Sequence, residues 1–198
     1  MLHADALTIA QEWVDALKGD CLRIEIVGSV RRGVAEVKDI ELVCIPEPRR
    51  PSAEFGVKVF NTLLDKSLYF LEKNSCLEMI KGGDKYKQFW ILKEGGVHVI
   101  KLDLFLVTPP AQWGVLMVIR TGPAEFSRWC VTHESKGGAL PDGYCVAQGA
   151  VWRVDQVDVK GVPFEGESPK SMPEEEDFLN FLNILRQEPR ERVARWER

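Results

Sequence analysis

Two carboxylates one residue apart interrupt an otherwise apolar run: Asp39 and Glu41 in DIELVCI, residues 39–45. The run predicts a strand closed by Pro46. Residues i and i+2 of a strand share a face. Asp39 and Glu41 therefore point one way, and Ile40, Leu42 and Cys44 the other. An unpaired carboxylate in mid-sheet is costly. Two arrangements meet that cost. The acid face is solvated and its residues are ordinary surface groups, or a divalent cation neutralises the pair together with a third acid.

A third acid is available. In VHVIKLDLFLV (97–107), Leu102, Leu104 and Leu106 share one strand face and Asp103 lies on the other. Magnesium suits three carboxylates, because it takes oxygen ligands and keeps waters and phosphates in its shell. Two such ions, about 3.5–4 Å apart, serve in-line phosphoryl displacement. The stretch before Asp39 adds the complement. LRIEIV (22–27) alternates as a strand and runs into Gly28-Ser29, followed by Arg31-Arg32-Gly33. A glycine after a strand permits close backbone approach to a ligand, and the amides that follow can cradle an anion. The arginines supply fixed charge suited to phosphate oxygens. Each element alone is more often a plain turn or a solvated charge; their combination is far more specific.

The rest of the chain frames this unit. Residues 5–18 and 55–73 have helical periodicity. LEMIK (77–81), YKQFWILK (86–93) and 97–107 predict an antiparallel meander, with Gly-rich turns between them. Pro109-Pro110 marks a boundary. Beyond it, helices are expected at 111–120, 124–135 and 174–185, and a hairpin around Gly149-Ala150. The end of the chain reads as a basic, exposed tail. The expected class is α+β: a mixed or antiparallel sheet with helices on one face over about 1–110, and a small α/β subdomain over about 111–198.

Composition excludes several classes. The formal net charge of -4 argues against coating nucleic acid by bulk charge, while leaving local basic patches open. Five scattered cysteines without a CxxC pair indicate reduced thiols, no zinc site and a cytoplasmic setting. No apolar run is long enough to span a membrane, and the N-terminus lacks a signal-peptide pattern. Most of the tryptophans are expected in the core.

The order Gly28-Ser29-Val30-Arg31-Arg32-Gly33, then Lys38-Asp39-Ile40-Glu41-Leu42, resembles the nucleotidyltransferase signature of the family X DNA polymerases, the family of DNA polymerase beta. KLDLFLV resembles the strand bearing that family's third metal-binding aspartate. WGVLMVIRTGPAEFSRW (113–129) resembles the segment around its Thr-Gly turn, and residues 186–192 resemble its C-terminal tail. The resemblance covers most of residues 22–192. It implies a nucleotidyltransferase palm over 1–110 and a thumb-like nucleotide-binding subdomain over 111–198. It implies that Gly28, Ser29 and Arg32 hold the triphosphate, with Lys38, Arg120, Thr121 and Gly122 also on the substrate. It implies that Asp39 and Glu41 bind two Mg2+ ions, which Mn2+ can replace, and that Asp103 binds the catalytic one. The implied partners are gapped or primer-template DNA and dNTP, for a monomer extending a primer 3′-hydroxyl in repair.

This chain departs from the family at four places. Glu41 stands where the family usually has Asp, one methylene longer. Ile119-Arg120 replaces an aromatic pair beside the sugar. Ser127 and Val131 replace an asparagine and an arginine that read base and template. Neither a lyase domain nor a helix-hairpin-helix turn is found, so weak, salt-sensitive DNA binding is expected. The Gly122-Pro123 bond is expected to be cis, because X-Pro lowers that cost to about 0.5–1 kcal/mol. Two other functions stay open. One is a nucleotidyltransferase acting on an RNA end, a protein or a small molecule. The other is a binding module with a decayed site.

Overall fold

A computed structural model describes residues 1–48, 60–185 and 187–196. The chain forms two compact units: residues 1–30 with 34–106, and residues 31–33 with 107–198.

The first unit is built on a five-stranded mixed sheet with helices packed on it. Its strands are β1 (Cys21–Ile26), β2 (Asp39–Pro46), β3 (Leu77–Lys81), β4 (Tyr86–Lys93) and β5 (Val97–Leu106), in the order β1-β2-β5-β4-β3. All neighbours are antiparallel except β2 and β5, which are parallel. A parallel pair needs a long connection. Here it runs through α3 (Leu63–Lys73), β3 and β4.

Strand parity decides which face is the core. Ile40, Leu42 and Cys44 of β2 lie in register with Leu102, Leu104 and Leu106 of β5, and all six are buried. They share one apolar cluster with Ala6, Ala10 and Leu17 of α1 (His3–Leu17) and Leu64 and Leu68 of α3. Both helices thus cover the same face. The short α2 (Gly28–Arg31) follows β1.

The second unit packs α4 (Trp113–Thr121), α5 (Ala124–Cys130) and α6 (Glu175–Phe181) with the hairpin β6 (Tyr144–Ala147) and β7 (Ala150–Arg153). Its core joins Val115, Val118, Phe126, Trp129, Val151, Phe178 and Leu179. Gln148 and Gly149 both have positive φ, 51° and 78°. That is the two-residue turn whose twist matches a hairpin.

Several sequence expectations need correction. The helix expected over 55–73 begins at Leu63, because Thr62 caps it: its hydroxyl accepts from the Asp65 amide at 3.0 Å. Residues 55–59 lie outside the described residues. The helix expected over 124–135 ends at Cys130, where the β-branched pair Val131-Thr132 follows. The Thr132 hydroxyl there donates to the Arg128 carbonyl. The helix expected over 174–185 ends at Phe181, with Asn183 in the left-handed region at φ 53°. Among the described residues the cis bond is Pro109–Pro110, and Gly122–Pro123 is trans. The bend at 122–123 comes instead from two successive extended residues. The tail is not wholly exposed either, since Arg192 is 3% exposed.

Candidate active site

The acid face of the sheet in the first unit is built by register. Glu41 on β2 pairs with Asp103 on β5, and Asp103 pairs with Gln88 on β4. Asp39 pairs with Lys101, and Lys101 with Trp90. Asp39, Glu41 and Asp103 therefore occupy one face of two adjacent parallel strands, opposite the helices. Asp39 and Glu41 are half-buried, and Asp103 is 7% exposed.

Each carboxylate has its own surroundings. Asp103 Oδ1 accepts from Gln88 Nε2 at 2.8 Å and from the Tyr86 hydroxyl at 3.0 Å. Both donors are neutral. The ammonium nearest in register, that of Lys101, lies 5.2 Å from the centre of the Trp90 ring. Among the described residues no cation pairs with Asp103. Glu41 reaches a different place. A Cβ added at Gly28 would collide with the Glu41 carboxylate. Gly28 has φ +63°, which favours a residue without a side chain. Strand pairing fixes this approach, because the Val27 amide donates to the Glu41 carbonyl at 2.9 Å.

Ser29 follows, with its Oγ buried and without a hydrogen-bond partner. A buried hydroxyl left unpaired costs about 1–3 kcal/mol. It is therefore a natural acceptor or donor for a ligand group. The donor set is hard and anionic, and Asp103 is buried among neutral partners. Oxygen donors of this type suit a divalent cation by chemistry, not by their placement here. The three carboxylates are not gathered into one set: among the described residues, no group of three His, Cys, Asp or Glu side chains is placed to hold a metal ion. Lys38, just before β2, is exposed.

In the second unit, Arg32 Nη1 donates to the carbonyls of Thr121 and Gly122, at 2.8 and 3.2 Å. These lie at the C-terminus of α4, where carbonyls lack helical partners and a cation is favoured. Arg31 Nη1 donates to the Thr121 hydroxyl at 2.7 Å, and Arg31 forms a bidentate pair with Glu175 at 2.9 and 2.7 Å. Arg192 Nη1 also donates to Glu175, at 2.8 Å. Burial pushes the Glu175 carboxyl up, but the hydrogen bonds and charges of Arg31 and Arg192 outweigh it and hold it below its ordinary value. Thr121 is fully buried and Arg120 is exposed. Ser127 ties α5 to α4, donating to the Ile119 carbonyl at 2.6 Å.

No protein-family model and no curated protein matches the sequence. Among solved structures, the chain is similar to Leishmania infantum polymerase beta, in a structure titled a ternary P/T complex. The TM-score is 0.70 at 16% identity, and the match covers 98% of this chain and 76% of that one. The fold is polymerase beta-like. Within that polymerase beta-like fold, sequence reasoning placed the acids on one face but missed Tyr86, Gln88, Glu175 and Arg192. Tyr86 and Gln88 carry the right i, i+2 spacing on β4, yet only the β4–β5 register reveals that they meet Asp103.

Proposed function

We propose that the chain is a template-directed DNA polymerase of the family X kind, extending a primer 3′-hydroxyl with dNTPs on gapped or primer-template DNA. The observation that carries this reading is the register of Glu41 beside Asp103, with Asp39 on the same face, on the strand that follows Gly28 and a Ser29 hydroxyl that is buried and unpaired. The polymerase beta-like fold supports it.

In this reading Asp39, Glu41 and Asp103 hold divalent cations, Mg2+ or Mn2+. When bound, such ions neutralise triphosphate charge and activate the attacking hydroxyl. The chain's own part is positioning and electrostatics. Gly28, lacking a side chain, lets the Glu41 carboxylate lie against its backbone. Ser29 offers its unpaired hydroxyl to a phosphate oxygen. Asp103 sits in a buried carboxylate position suited to a metal beside the primer terminus. Thr121 and Gly122, bonded to Arg32, form a rigid backbone element for the nucleotide's sugar and base, and the exposed Lys38 and Arg120 contribute charge to substrate binding. No helix among the described residues is long and apolar enough to cross a membrane. The protein is expected to act as a monomer in DNA repair.

The test is primer extension on gapped, recessed and single-stranded DNA, with dNTPs or rNTPs, in Mg2+ and in Mn2+. Template-dependent product that disappears in D103A supports the proposal. Product formed only on an RNA end, a protein or a small molecule would instead support the wider nucleotidyltransferase reading. No template-dependent product in either metal would end the polymerase reading. Binding of gapped DNA without incorporation would leave a binding module.

A further inference from the structure

In the proposed function the Ser29 hydroxyl meets a phosphate oxygen, yet the residue before it already carries an anion of the chain's own. The Glu41 carboxylate lies against Gly28: a Cβ built there would overlap Oε2 and stand 2.6 Å from Cδ. The three atoms nearest that space all belong to Glu41. Backbone pairing holds the two residues together, since Ile26 pairs with Leu42 and the Val27 amide donates to the Glu41 carbonyl at 2.9 Å. The length of the side chain supplies the reach. An aspartate would keep its charge up to about 1.5 Å, one carbon–carbon bond, further back. Ser29 Oγ is buried and has no hydrogen-bond partner, so the Glu41 carboxylate does not satisfy it. One anion thus stands beside a donor that it leaves unused.

We infer that Glu41 is a built-in competitor of the nucleotide: its carboxylate occupies the approach to Gly28 and Ser29, and a triphosphate binds there only when that side chain turns away. The inference deepens the polymerase reading and rests on its assignment of Ser29 to phosphate; it involves no metal ion. Glu41 is half-buried, and like charges repel more strongly there than in water. The triphosphate and this carboxylate therefore exclude each other. Rotation about the side-chain bonds of Glu41 is enough to clear the approach, so the strands need not move. Apparent affinity then falls with the fraction of molecules in which the approach is open. Wild type should accordingly bind a triphosphate more weakly than the same chain with position 41 shortened or neutralised. Two features of the ligand matter, its charge and its need for the space over Gly28, and each can be removed separately at position 41.

The experiment compares wild type, E41Q, E41D and E41Q combined with S29A. Isothermal titration calorimetry in EDTA, at fixed ionic strength, measures binding of dATP and of inorganic triphosphate. Thermal midpoints show that each variant is folded, and E41D carries the test if E41Q is not. E41Q keeps the size of the side chain and removes its charge; it should bind both ligands at least about tenfold tighter than wild type. E41D keeps the charge and shortens the reach; it should bind at least about threefold tighter. Adding S29A to E41Q should remove the gain. Affinity of folded E41Q within about twofold of wild type would overturn the inference. So would E41D unchanged beside a tighter E41Q, since the effect would then be charge at large rather than occupancy of the space over Gly28. A gain that survives S29A puts the anion elsewhere and also overturns it. Primer extension by wild type is scored separately. No product ends the polymerase reading, while tighter triphosphate binding by E41Q and E41D, lost with S29A, still establishes the competition.

Discussion

The carboxylate of Glu41 lies against the Cα of Gly28, in space that any larger residue at position 28 would fill. Glutamate in place of the aspartate usual in the resembled family therefore has a local structural counterpart: its extra methylene extends toward a residue with no side chain. Substituting Gly28→Ala should cost at least about 1–2 kcal/mol from the left-handed backbone alone. The collision with Glu41 adds to it. E41A in the same background should recover the collision part and leave the backbone part. Urea unfolding of the four proteins of that cycle measures the coupling. Additive costs would show that Glu41 does not occupy that space in solution.

Glu175 gives the second unit an acid-sensitive lock. Its side chain is 13% exposed and accepts from Arg31 and Arg192, the latter with a side chain 2% exposed. Because its folded value is lowered, the stability it contributes is fully present above its ordinary value of 4.5. That stability is lost as pH falls through the depressed folded value. Stability should therefore decline as pH falls below about 4.5. E175A should weaken the protein by about 3–5 kcal/mol at neutral pH, since it leaves a buried guanidinium unpaired. It should also flatten the slope below pH 4.5. Urea midpoints at pH 7 and pH 3.5 for both proteins provide the comparison, and an unchanged acid slope in E175A would remove Glu175 from the account.

Much of the fold was legible because strand parity is local. The alternation in DIELVCI and KLDLFLV sorted Ile40, Leu42, Leu102 and Leu104 to the core and the three acids to the other face, as the sheet confirms. The antiparallel meander was legible from its Gly-rich turns. Register and partner choice were not, since they depend on long-range packing. Nothing in the sequence says that β2 runs parallel to β5, or that Tyr86 and Gln88 meet Asp103. Helix ends were read too long where caps and left-handed residues intervene, as at Thr62 and Asn183. A charged tail suggested solvent, yet Arg192 is buried because Glu175, far away in sequence, compensates its charge. Composition cannot reveal such a pair.

The cysteines offer a probe of packing in both units that is independent of activity. Burial pushes the Cys130 thiol up to about 12, with Arg192 opposing the shift. A thiol of that kind is about one part in ten thousand thiolate at pH 8, and the thiolate is the reactive form. Cys44 is also raised, by its hydrogen bond with the Cys21 thiol and by burial. Cys76 and Cys145 are only partly buried, and burial raises Cys145 as well. Native protein treated with a thiol-disulfide reagent at pH 8 should therefore label at Cys76 first and at Cys145 more slowly. Cys44 and Cys130 should react only on the timescale of unfolding. Peptide mapping of the labelled sites against time distinguishes them. In E175A, which frees Arg192 and loosens the second unit, Cys130 should become labelled sooner while Cys44 stays protected. Equal acceleration at both would mean that the two cores open together rather than separately.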